Sequence, residues 1–257
     1  MAWAKFPYPD PAYVYTAAGL RKAWGRLHAG DAEAWPREAP VVEAWIAFHA
    51  GQFEQAAKLG LAAGLAGYAA ANKAACIHAV YLEPSAAQKS ARLWQVVERC
   101  EQQQVQQPSN AAAFYWHAYA LGRYAQTISV LKALAQGMGG KIKASLDTAL
   151  TLAPRHADAH IALGVYHAEV IDKVGTLVGG LTYGASKASA ISHFEKALSL
   201  NPDSAIARVE YADALVMLDG RRQAQAAIAL CEAALATTPR DAMERLDVER
   251  ARQALRE

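Results

Sequence analysis

The run HADAH at residues 156–160 sets His156 and His160 one helical turn apart, with His167 two turns further on and Asp172 beyond. Imidazoles at i and i+4 can chelate a metal. No HExxH motif or third ligand accompanies them, and His156 falls in the turn after Pro154, so they read as packing and surface histidines and no metal is expected. A second stretch, LVGGLTYGASK at 177–187, puts glycines ahead of a helix start, an arrangement that holds phosphate on free backbone N–H groups. Counted from Gly179, the position of a phosphate-binding lysine is Ala185; no strand precedes it and no GxGxxG is present, so a nucleotide site is excluded. A weaker anion site remains, with Ser186 as helix cap, Thr182, Tyr183 and Lys187 beside it, and Lys141 in a sister loop. A plain turn has the same composition and is the preferred reading. Glu169 and Asp172 are an ordinary i,i+3 acid pair, and neither GxSxG nor a Cys–His signature appears. The chain is expected to be no enzyme and to need no cofactor.

The elements carrying these residues are helices. Alanine-rich segments of helical period cover nearly the whole 257 residues, and no stretch alternates as a half-buried strand does. Lys and Arg number 26 against 24 Asp and Glu, too even a balance for a protein built to neutralise phosphates, so no nucleic-acid partner is expected. Every apolar run is interrupted before it could span a bilayer, so membrane insertion is not expected. The opening MAWAKFPYPDPAY has no signal-peptide core, and Cys76, Cys100 and Cys231 form no CxxC pair. These features read as reduced core thiols in a cytoplasmic protein.

Three segments share one spacing. Ile142, Leu146, Ala149 and Pro154 are separated by 4, 3 and 5 residues, as are Ala190, Phe194, Ala197, Pro202 and Ala227, Cys231, Ala234, Pro239. Small residues one and two turns apart let helices approach, a larger one fills the gap, and proline ends the helix. Each segment resembles the second helix of a tetratricopeptide repeat. The first helix of that family follows Pro154, with Leu163, Gly164 and His167 in register, and Pro202, with Tyr211, Ala212 and Leu215. SNAAAFYWHAYAL after Pro108 is a poorer match, and EAWIAFHAGQFEQAAKLG is an earlier one. The resemblance implies an all-α solenoid of antiparallel helix pairs forming a single domain over 1–257. A lead helix is expected at 11–29, degenerate repeats at 41–107, clear repeats at 109–239 and a solvated capping helix at 241–257.

Successive prolines lie 46 and 48 residues apart where that family uses 34, so two adjacent repeats carry insertions between their paired helices. If each insertion is split between its two helices, elongated hairpins at 121–145 and 167–190 project side by side. Such hairpins look similar to the T component of TRAP transporters and to the regulators of microtubule dynamics; unlike the exported T components, this chain shows no export signal. The resemblance implies a non-catalytic scaffold for another protein or peptide, gripped on the concave face by first-helix positions. Carried over, these are Tyr115, Tyr119 and Arg123, then Asp158 and Glu169, then Asp213 and Met217, with Ile161 and Val209 among them. The alternative is a carrier holding a small apolar or anionic ligand between the hairpins. Self-association is left open.

Overall fold

The chain folds as helix after helix because each alanine-rich segment buries one stripe and ends at proline or a capped turn. The computed structural model describes residues 3–256, and every regular element among them is helical. Residues 1–2 of the opening segment and residue 257 of the expected capping helix lie outside the described residues. Asp10 caps a 3₁₀ turn at Pro11–Tyr13, its carboxylate accepting from Ala12 N at 2.8 Å. The expected 11–29 lead helix is therefore split, for α1 (Ala17–Leu27) starts afresh with Thr16 as its cap.

Helices α2 (Ala39–His49) and α3 (Phe53–Ala62) form the first pair, and α4 (Tyr68–Tyr81) with α5 (Ala86–Gln106) the second. Next come α6 (Ala111–Ile128), the short α7 (Val130–Ala135) and α8 (Met138–Leu152). Helix α9 (Ala157–Tyr183) pairs with α10 (Lys187–Leu200), α11 (Ala205–Asp219) with α12 (Ala224–Leu235), and α13 (Ala242–Ala254) closes the array. The repeat signature does its packing work at Gly164. Phe194 is fully buried, and a Cβ at Gly164 would stand 2.6 Å from its ring. The same ring also stacks on Tyr211, with centroids 5.0 Å apart.

The insertions are not shared equally between paired helices. Helix α9 runs 27 residues, whereas α8 and α10 keep 15 and 14. Gly184 ends α9 in the left-handed conformation and Ser186 at once caps α10, its Oγ accepting from Ser189 N at 3.0 Å, so the added length cannot pass to the second helix. Nor are the long helices straight. Ser129, at φ 95, separates α6 from α7, and Gly175, at φ 79, breaks α9. The insertions do lie side by side, with Leu134 packed among Tyr166, Val170 and Ala185.

Helix α13 differs most from its expected role as a solvated end. Leu246, Asp247, Val248 and Ala251 are buried, and the helix touches α2 as well as α11 and α12. Its first residues join the N-terminal helices: Asp241 Oδ2 pairs with His49 Nδ1 at 2.7 Å, and Glu244 with Arg26 at 2.7 Å. Tyr81 donates to Asp247 at 2.5 Å. The two ends of the array therefore meet.

Replacing Gly164 by Ala should cost about 1–3 kcal/mol, the usual penalty for overpacking a close helix contact. Urea unfolding would show it as a lower midpoint with an unchanged slope.

Candidate functional site

Side chains of six helices converge on a cavity of about 830 Å³, open solvent at its mouth included. Helix α6, started by Asn110 accepting from Ala112 N at 3.1 Å, presents Tyr115, Tyr119 and Arg123 four residues apart and so in one row. Helix α9, capped by His156, presents Asp158, Ile161, Val165 and Glu169, spaced three, four and four residues apart. Opposite them stand Tyr81 of α4, Ile206 and Glu210 of α11, and Met243 and Asp247 of α13.

Five of the seven residues assigned to the concave face thus line this cavity: Tyr115, Tyr119, Arg123, Asp158 and Glu169. Asp213 and Met217 line an adjoining cleft that shares Arg123, Gln126, Glu169 and Glu210 with it. A further cleft shares Asp158, Ile206, Met243 and Asp247 with the cavity and reaches Asp31 and Lys73. The three form one continuous concavity. Sequence reasoning missed Tyr81, Glu210, Met243 and Asp247. Tyr81 lies in a repeat without a readable register, and Asp247 in a helix whose alternating charges look solvated. Glu210 carried a faint signal, as an acid inside the apolar run around Val209 and Tyr211.

Arg123 is bound at 2.5 Å to Glu210, and its guanidinium lies 5.3 Å over the Tyr119 ring. Burial alone would lower its pKa, but Glu210 reverses this and holds it well above the usual range. Lys73, almost fully buried, donates to Asp31 at 2.6 Å. Burial would raise the Asp31 carboxyl, yet His28 and Lys73 hold it well below the usual carboxylate range. Asp158 and Asp247 have no such cation. Burial, with the charge of Asp31 added, pushes Asp158 up to about 7 despite Lys73. Burial pushes Asp247 up to about 8; the Tyr81 hydrogen bond opposes this, and the charges of Asp241, Glu244 and Asp158 add to it.

The residues of the expected anion loop are largely committed to internal contacts. Ser186 caps α10 while its own N–H donates to His167 Nδ1 at 3.3 Å, Lys187 pairs with Asp219, and the Tyr183 carbonyl accepts from Tyr166 at 3.2 Å. Lys141 and Thr182 are exposed. Between the hairpins, where the carrier alternative holds its ligand, Leu134 packs with Tyr166, Val170 and Ala185. The histidines part company as well. His156 turns inward against Tyr115, with ring centroids 4.4 Å apart, while His160 meets His193 at 2.9 Å and His167 stacks on His193. Among the described residues no group of three or more His, Cys, Asp or Glu is placed to hold a metal.

A family model described as regulator of microtubule dynamics protein 1-3 matches residues 69–257. The chain is also similar to a solved structure, that of TTC0263, a thermophilic tetratricopeptide-repeat protein of Thermus thermophilus. The TM-score is 0.57 at 16% identity, over 83% of this chain and 97% of that one. At such identity the likeness concerns the fold alone. No curated protein matches the chain in sequence. Among the described residues no helix is long and apolar enough to cross a membrane.

A carboxyl raised on folding holds its proton more tightly in the folded chain. Its stabilising contribution is therefore complete below the unfolded value near 4 and is lost as pH rises through the folded value. Asp247→Asn should accordingly gain Tm relative to the parent as pH rises from about 4 to about 8, and the gain should then level off. A thermal-melt series across that range checks it; a difference independent of pH would mean that the carboxyl is not shifted.

Proposed function

The chain belongs to the regulator of microtubule dynamics family, and on that premise we propose that it is a non-catalytic scaffold whose concave cavity receives a segment of a partner protein. The observation that carries the reading is that Tyr115, Tyr119 and Arg123 line one cavity together with Asp158 and Glu169, and that this cavity is continuous with two further clefts. A pocket for one compact molecule needs a single enclosure. A concavity that runs on past its aromatic centre suits an extended chain, with side chains seated in successive recesses. Tyrosine and tryptophan add rigid contact area at little entropic cost, and Trp116 and Tyr119 pack at 5.4 Å to form such a wall. Arg123 serves this wall better as a structural group than as a free anchor, because Glu210 already occupies it. The buried free thiols Cys76, Cys100 and Cys231 fit a reducing compartment, and the proposed location is the cytoplasm.

Gly122 allows a clean test. It lines the cavity, and a Cβ there would meet nothing within 4 Å. Gly122→Leu should therefore fill the cavity without strain and stabilise α6 by about 0.5–1 kcal/mol through helix propensity. Peptides selected from a displayed library on the full chain should bind this variant at least about tenfold more weakly, a loss of about 1.4 kcal/mol. Selected peptides that bind the variant and the parent equally would place the binding surface elsewhere.

A further inference from the structure

The charges around the cavity do not balance. Arg123 is matched by Glu210 and Lys73 by Asp31, while at the adjoining cleft Glu244 is matched by Arg26 and Asp241 by His49. Asp158 and Asp247 are left over. Both line the cavity and the cleft that leads from it, so they stand where the two join. The Asp158 carboxylate makes no hydrogen bond or ion pair among the described residues, and Asp247 accepts only from Tyr81. A third acid, Glu169, is held by the neutral Gln126 at 2.6 Å.

A second, independent observation concerns Tyr115. Only 4% of this residue is exposed, it lines the cavity, and its hydroxyl has no hydrogen-bond partner among the described residues. The hydroxyl is not among the sealed polar atoms, so this otherwise buried side chain offers its one polar atom to the cavity. Around Tyr115 pack the rings of Trp116 and Tyr119, and Tyr81 also lines the cavity; the π faces of such rings carry negative potential. Two acids without a cation at the end of an aromatic-walled recess suit a positive charge on an apolar stem: the rings attract it through their quadrupoles, and its approach favours the ionised form of acids that burial otherwise holds protonated. An anionic ligand would find no free cation there among the described residues and would have to displace Glu210 from Arg123 or Asp31 from Lys73.

We infer that the cavity is a binding site for an organic cation, an ammonium or guanidinium on an apolar stem, with Asp158 and Asp247 as its counter-ions and Tyr115 as a hydrogen-bonding wall. This rests on the scaffold reading only for the source of the cation, which there is a lysine or arginine side chain of the bound segment. The cavity itself would serve equally for a free amine.

Calorimetric titration of the full chain with four probes separates these cases. Two share an alkyl stem, octylguanidinium and octanoate. Two are capped leucine pentapeptides, one with a central arginine and one with the neutral isostere citrulline. The expected result is that octylguanidinium and the arginine peptide bind at least about tenfold more tightly than their twins, the scale of one charged hydrogen bond. The double variant Asp158→Asn, Asp247→Asn should erase that preference while its circular dichroism stays unchanged. If the double variant unfolds, Asp158→Asn alone gives the same readout. Binding of octylguanidinium without the arginine peptide would uphold the cation site and remove the peptide reading. Equal binding of the arginine and citrulline peptides would do the reverse. Tighter binding of octanoate, no binding of either cation, or a preference that survives the substitutions would overturn the inference.

Discussion

The docking of α13 onto the N-terminal helices is the constraint on which the rest depends. In an open helical array each pair touches only its neighbours, and the concave face stays a trough. Here His49–Asp241, Arg26–Glu244 and Tyr81–Asp247 join the two ends, and Tyr15 adds a hydrogen bond at 2.8 Å to the carbonyl of Arg240. Without that closure Met243 and Asp247 would not face Tyr115 and Asp158, and the trough would have no far wall. Joining residues so distant in sequence costs chain entropy, but that cost grows only with the logarithm of loop length.

Of these closing contacts His49–Asp241 is fully buried, Tyr81–Asp247 and Arg26–Glu244 are partly buried and Tyr15–Arg240 lies at the surface, so the buried ion pair decides how the closure acts. Breaking one partner of such a pair leaves an unmatched charge and costs about 3–5 kcal/mol, although the intact pair adds little net stability over an apolar one. What the pairs supply is a definite arrangement. His28 bonds Asp31 through Nδ1 at 2.8 Å and meets His49 through Nε2 at 3.3 Å, while His49 bonds Asp241 through its own Nδ1. For the Nε2 contact to be a hydrogen bond, one of the two rings must carry its proton there. This relay of side chains links the end of α1, α2 and the start of α13. Lys73 completes the cluster, its ammonium 5.2 Å over Phe48 and bonded to Asp31.

Against that background of matched charges, the exceptions gather at one place. Asp158 sits where α9 begins, close against Gly30, its backbone N–H donating to the Gly30 carbonyl at 2.9 Å. The approach is so tight that a Cβ on Gly30 would collide with the carboxylate. The acid is therefore held in place by backbone contact, with no side-chain partner recruited for it. The inserted segments contribute on the opposite side, where Ile142, Val165 and Tyr166 from the bases of the hairpins line the cavity. Their tips, with Leu177 and Leu181 largely exposed, stand away from it.

The helices and their pairing were legible because they follow from short-range spacing. Ala190, Phe194 and Ala197 state which face is buried, and Pro202 where the helix stops. The row Tyr115, Tyr119, Arg123 could be placed on an inner face for the same reason, since its period is that of a single helix. Contacts between helices far apart in sequence left no such mark. Nothing local distinguishes Asp247 from the solvated acids around it, ties His160 to His193 rather than to His156, or tells α9 to take an insertion whole. Helical period and proline placement are properties of the chain within one or two turns, and the sequence by itself determined those. Whether the array stays open or closes depends on small rotations accumulated over successive pairs, and only the tertiary structure decided that, and with it which acids face one another across the cavity.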